Sequence, residues 1–177
     1  MLACLVPLAS PASAAAAAPD APAARRAALN AIVGSQVGGP APEFTVWTPE
    51  GQPITGADLL AQDKPFVLYF FATWCTTCRA EFRVLKALYP RYAERVNLVA
   101  VGIDPTEGPE AVRAYQQANG YPWTVALGDR EVLERYNVLS TSVKYAVDRH
   151  GTITFQRGYG VEDAGSWERV FEESLQR

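Results

Sequence analysis

Residues 66–71 read Phe-Val-Leu-Tyr-Phe-Phe, an apolar run with no two-residue alternation. That pattern predicts a central strand buried on both faces. After it, Phe82, Leu85, Leu88, Tyr89 and Tyr92 recur at spacings of three and four, which predicts a helix over 76–93 with one apolar face. A second buried strand is expected at 97–103, ending at Asp104-Pro105. Pro109 is placed to open a helix and Asn119-Gly120 to close it. A short strand at 123–127 precedes a helix capped by Asp129 and carrying Val132, Leu133 and Tyr136. Strands at 143–147 and 152–156 flank Asp148-Arg149-His150-Gly151, a hairpin turn. From about Ser166 a last helix presents Trp167, Val170, Phe171 and Leu175 on one face. Upstream, 41–60 reads as a short strand, a turn at Pro49-Glu50-Gly51 and a helical turn.

Alternating strands and helices that end in a hairpin and a helix predict an α/β fold. Its mixed sheet has parallel strands joined by right-handed crossovers and an antiparallel hairpin at one edge. Composition adds a boundary. Residues 1–40 hold 14 Ala and no aromatic side chain, whereas every Phe, Tyr and Trp lies beyond them. A segment that cannot bury aromatic area does not offset its ordering entropy, so the folded domain is expected at 41–177. Residues 15–40, rich in Ala, Pro and Gly, read as a flexible linker. The apolar stretch from Leu2 to Leu8 and the small-residue site Ala12-Ser13-Ala14 read as an export signal over 1–14, although no Lys or Arg precedes Arg25. Leu2-Ala3-Cys4 offers a lipidation site as a second reading, so a membrane tether through the N-terminus is also expected.

A net charge of −3 argues against nucleic acid as a partner. One His argues against a metal centre built on imidazoles. Three Cys is an odd number. Cys4 lies in the leader, which leaves Cys75 and Cys78 in the domain. They stand in Trp74-Cys75-Thr76-Thr77-Cys78, where the central strand gives way to the first long helix. A sulfur at a helix start faces unpaired backbone N–H groups and the positive end of the helix dipole, which favour thiolate. Cys78, three residues on, shares its face and can close a small disulfide ring.

With these residues in place the chain resembles the thioredoxin superfamily, and within it the TlpA/ResA-like extracytoplasmic thiol-disulfide oxidoreductases. The resemblance runs over about residues 40–177. It rests on Ala41-Pro42-Glu43-Phe44, on the strand leading into Ala72-Thr73-Trp74-Cys75-Thr76-Thr77-Cys78-Arg79-Ala80-Glu81-Phe82, on Val99-Ala100-Val101-Gly102, on Tyr136-Asn137-Val138, and on Asp148 with Gly151. It implies a three-layer α/β/α fold with no cofactor. It also implies that Cys75 attacks, Cys78 resolves, Glu81 carries a proton to or from Cys78, and Trp74 shields the sulfur. An exposed helix acid paired with a nearby Arg or Lys is the plainer reading of Glu81. The implied partners are disulfides of exported proteins, with cytochrome c maturation as one setting, and a membrane thiol donor that re-reduces a monomeric periplasmic or cell-envelope protein.

Three departures stand out. Arg83 stands where many relatives have a Pro after Glu-Phe, so a straighter helix is expected. Thr77 replaces a Pro common before the second Cys. At the position of the superfamily's cis-Pro stands Ser142, preceded by Thr141. A cis bond before Ser would cost about 3–4 kcal/mol, against about 0.5–1 before Pro. A trans bond and a reshaped substrate-contacting loop at Thr141 and Ser142 are therefore expected. The Ser142 hydroxyl is a candidate hydrogen-bond partner of Cys75. Competing readings are a thiol peroxidase using Thr73 and Arg149, a metal-delivery protein using His150, and a binding module that no longer cycles.

Overall fold

The computed structural model describes residues 36–177. The leader expected at 1–14, with Cys4, and the linker as far as residue 35 lie outside the described residues. The described elements are β1 (Thr45–Trp47), β2 (Pro53–Thr55), α1 (Gly56–Leu60), β3 (Phe66–Phe71), α2 (Thr76–Leu88), a 3-10 turn (Tyr89–Arg91), β4 (Asn97–Gly102), α3 (Pro109–Asn119), β5 (Thr124–Leu127), α4 (Arg130–Arg135), β6 (Val143–Val147), β7 (Ile153–Arg157) and α5 (Ala164–Leu175). None of these helices is long and apolar enough to cross a membrane.

The seven strands form one mixed sheet in the order β2-β1-β5-β4-β3-β6-β7. β3, β4 and β5 run parallel, with α2 and α3 as their crossovers. β6 is antiparallel to β3, and β7 to β6. β3 is buried at all six positions, as its unbroken apolar run implies. Val67, Tyr69 and Phe71 face one side, where they pack with Phe82, Leu85, Val112, Trp167 and Phe171 of α2, α3 and α5. Phe66, Leu68 and Phe70 face the other side, against Phe44, Leu59, Val132 and Tyr136. Two helical layers thus sandwich the sheet.

Three local findings refine the reading of the pattern. The helix expected over 76–93 stops at Leu88, because Pro90 has no N–H to continue the helical hydrogen-bond ladder and the chain tightens into a 3-10 turn. The 3-10 turn that follows still brings Tyr89 and Tyr92 into the core. The segment before α1 is a hairpin rather than one strand, with Thr45, Val46 and Trp47 paired to Thr55, Ile54 and Pro53 at the sheet edge, where a proline costs no ladder bond. Finally, the chain is already docked ahead of residue 41: Gly38 N donates to Ile153 O at 2.8 Å and Ala41 N to Gly151 O at 2.8 Å.

The register decides what lies near the cysteines. Phe70 pairs with Val143 and Phe66 with Val147. The start of β6, with Ser142 before it, therefore lies beside the end of β3 that leads to Cys75. The β6–β7 turn carrying exposed His150 lies at the opposite end of the sheet.

Candidate active site

Cys75 is the N-cap of α2. It has extended backbone, and its Sγ accepts a hydrogen bond from Cys78 N at 3.0 Å. The two cysteines form a disulfide with Cα atoms 5.3 Å apart. Cys75 is 3% exposed and Cys78 fully buried, so any partner reaches Cys75 first. Trp74 is 61% exposed and is held from the side, its indole N–H donating to Asp104 Oδ2 at 2.6 Å. That bond and two from Thr106 hold the Asp104 carboxyl below its usual range. The backbone N–H of Thr73 donates to both carboxylate oxygens of Glu107, and the Thr73 hydroxyl donates to it as well. The loop after β4 thus fixes the approach to the disulfide from one side.

Glu81 lies one helical turn beyond Cys78 and is fully buried, which corrects the exposed-acid reading. Its Oε2 accepts from the Tyr69 hydroxyl at 2.6 Å and from Lys144 Nζ at 2.7 Å. Its Oε1 accepts from Trp167 Nε1 and from Glu162 N, both at 3.0 Å. Lys144 is also fully buried, and its Nζ donates a second bond to Gly160 O at 2.8 Å. Burial pulls the Lys144 ammonium below its ordinary pKa, while Glu81 pulls in the opposite direction. Burial, reinforced by the Glu81 charge, pushes the Tyr69 phenol well above the usual tyrosine range. One carboxylate therefore joins β3, β6, α5 and the loop between β7 and α5 to the helix that begins at the disulfide.

Ser142 corrects a second expectation. Its hydroxyl makes no hydrogen bond to Cys75; it turns inward, 2.8 Å from the Tyr69 hydroxyl and 2.8 Å from Gly160 O. The peptide bond before it is trans, there being no cis bond among the described residues, and Ser142 has φ 64°. Its N–H donates to Phe70 O at 2.8 Å, which fastens the loop to the end of β3. The left-handed backbone directs the side chain into the Glu81 network. Thr141 is 8% exposed, and Leu139, in the same loop, is 88% exposed.

Neither competing chemistry finds its residues here. The Thr73 hydroxyl is taken by Glu107, and Arg149 reaches the Arg177 carbonyl from the far end of the sheet. His150 belongs to that same distant turn. Among the described residues no three His, Cys, Asp or Glu side chains are grouped to hold a metal ion.

The sequence reading missed Lys144, Tyr69 and Tyr159. Lys144 left a signal: a single cation inside the apolar run Val143-Lys144-Tyr145-Ala146-Val147 requires a buried anion. Tyr159 left none, because its relation to Thr77 depends on how the loop between β7 and α5 returns over α2. There the Thr77 hydroxyl donates to the Tyr159 hydroxyl at 2.5 Å.

A cysteine pair that opens the helix after the central strand of a mixed, two-sided sheet defines a thioredoxin-fold dithiol protein. The chain belongs to the AhpC/TSA family, whose pattern matches residues 37–156. It is 33% identical over 122 residues to the thioredoxin-like protein YneN of Bacillus subtilis (strain 168), covering 68% of this chain and 71% of that one. It is 31% identical over 123 residues to the thiol-disulfide oxidoreductase ResA of Bacillus anthracis, covering 68% and 69%. A thioredoxin-family thiol:disulfide interchange protein of Chlorobium tepidum TLS shares the fold, with a TM-score of 0.68 at 23% identity over 80% of this chain and 99% of that one. The protein is a thiol-disulfide oxidoreductase.

Proposed function

We propose that the protein works as a reductase of disulfides in exported proteins. The observation that supports this most directly is the Cys75–Cys78 pair, with Cys75 slightly exposed and Cys78 fully buried behind it. In the reduced form the Cys75 thiolate attacks one sulfur of a substrate disulfide. The substrate disulfide breaks, a mixed disulfide forms, and one substrate thiolate leaves and takes up a proton. Cys78, deprotonated, then attacks Cys75 Sγ and expels the second substrate thiolate. Two electrons pass to the substrate, and the protein is left as the Cys75–Cys78 disulfide. A membrane thiol donor returns it to the dithiol by the same exchange in reverse.

Trp74 and the backbone of Thr141 and Ser142 are assigned to substrate contact. Glu81 is better read as a positioning residue than as a proton carrier, because four close donors already fill its two oxygens. Residues 1–14 act as an export signal and the following segment as a tether, which places a monomeric domain outside the cytoplasm. Cytochrome c maturation is one setting that supplies such substrates.

The test is a pair of variants. Cys75→Ser abolishes disulfide exchange. Cys78→Ser retains the attacking thiol and accumulates a mixed disulfide, visible by intact mass. If Cys75→Ser keeps its activity, the reading fails.

A further inference from the structure

The turn that delivers Cys75 is gripped by two opposite charges. Ala72, Thr73, Trp74 and Cys75 form a turn closed by Cys75 N, which donates to Ala72 O at 3.1 Å. The Thr73 N–H donates to both oxygens of the Glu107 carboxylate, at 3.0 Å each, and the Thr73 hydroxyl donates to Oε1 as well. The Thr73 carbonyl accepts from Arg79 Nη2 at 3.2 Å. Glu107 is itself anchored in the loop after β4, its N–H donating to Asp104 O at 3.0 Å. Disulfide exchange as described above uses neither Glu107 nor Arg79.

Both charges lie near the attacking sulfur. Thr73 and Cys75 are two residues apart, so their Cα atoms are separated by at most about 7 Å. That is inside the screening length of about 10 Å at 0.1 M salt. A carboxylate in this place disfavours thiolate at Cys75, and a guanidinium favours it. The start of α2, where Cys78 N donates to Cys75 Sγ, also favours it. The other charged groups around the dithiol are accounted for. Asp104, bonded to the Trp74 indole, acts in the same sense as Glu107. Glu81 and Lys144 are paired with each other, and Glu162 with Arg157. Tyr159 meets the helix through its hydroxyl at Thr77.

We propose that Glu107 is a positioning residue that sets the poise of the dithiol: held on Thr73, its carboxylate opposes the helix start, keeps Cys75 less acidic and so makes the pair a stronger reductant. Arg79, on the carbonyl of the same residue, pulls the other way. In exchange with oxidised glutathione the reduced pair gives up two electrons and its two thiol protons. It is left as the Cys75–Cys78 disulfide, and two glutathione thiols form. A stabilised protein thiolate resists that transfer, and Glu107 destabilises it. The value of a reducing poise rests on the reductase reading, whereas the effect on Cys75 acidity does not.

The test uses the full chain in its reduced form. Cys75 is alkylated with iodoacetamide over about pH 5 to 10, a range that brackets an ordinary thiol, and its rate is read from the Cys75 peptide by mass. Glu107→Gln keeps an acceptor for the Thr73 N–H and loses the charge. It lowers the midpoint of the profile by at least about half a pH unit, about a threefold gain in acid strength. Above both midpoints, the same variant shifts the equilibrium with glutathione at least about threefold toward the dithiol, about 14 mV more positive. Arg79→Gln moves both readouts the opposite way. Glu110→Gln makes the same change in net charge on an acid paired with Arg113, and it leaves both in place. Arg79 is exposed, so Arg79→Gln carries the test if Glu107→Gln does not fold. The proposal is overturned if Glu107→Gln lowers the midpoint by less than about half a pH unit or raises it, if Arg79→Gln lowers it, or if Glu110→Gln matches Glu107→Gln. An oxidising wild-type pair sinks the reductase reading instead, because the Cys75 profile is read whichever way the pair exchanges.

Discussion

Glu81 and Lys144 carry the highest energetic stakes of any pair in the domain. Each is fully buried, and each ion taken from water costs several kcal/mol unless geometry and further hydrogen bonds offset it. Removing the lysine alone leaves a buried anion, so Lys144→Met is expected to lower stability by about 3–5 kcal/mol. Glu81→Leu should cost more. It strands the ammonium and also leaves the Tyr69 hydroxyl, Trp167 Nε1 and Glu162 N without their acceptor. The double variant should cost less than the two singles together, since the unpaired charge is gone. Urea denaturation of the four proteins checks that order. Equal and additive losses would show that the pair is not energetically coupled.

At the scale of elements, what was legible in the sequence was whatever the local pattern dictates. β3 and β6 follow from apolar runs, α3 from Pro109 and from Gly120, whose φ of 57° closes the helix, and α4 from its Asp129 cap. The cysteines were legible for the same reason, since their chemistry depends on a helix start and on i, i+3 spacing. The Glu81 network was not, because its members are separated by 12 to 86 residues and meet only when the sheet register brings β6 beside β3. α2 carries the local and the long-range features together. Its Phe82 contacts Tyr69, Phe71, Tyr121 and Trp123 with ring centroids 4.8 to 5.4 Å apart. Phe82→Ala would empty the centre of that cluster, and it is expected to cost about 3–5 kcal/mol while leaving the disulfide able to form. Denaturant midpoints together with a thiol count check both halves of this expectation.

For the molecule as a whole, buried phenols set an alkaline limit. Burial is the first cause of raised values at Tyr69, Tyr89, Tyr121 and Tyr136. A raised folded-state pKa means that the folded form holds its proton where the unfolded form has lost it. The stability these groups contribute is therefore complete below about pH 10, and above it falls by up to about 1.4 kcal/mol per tyrosine per pH unit. Lys144, shifted downward, completes its change by its ordinary value of about 10.4 and does not offset the loss above it. Thermal unfolding should move to lower temperature above pH 10, with tyrosinate absorbance rising together with unfolding. Tyrosinate that appears in the still-folded protein would contradict the burial argument. The central claim, that this fold presents Cys75 and Cys78 as a dithiol that reduces substrates, is tested most directly by the pair's reduction potential in thiol–disulfide buffers. The account predicts one two-electron transition at about −250 mV or below. A value near about −120 mV would mark an oxidant instead, and a pair that does not cycle would contradict the enzymatic reading altogether.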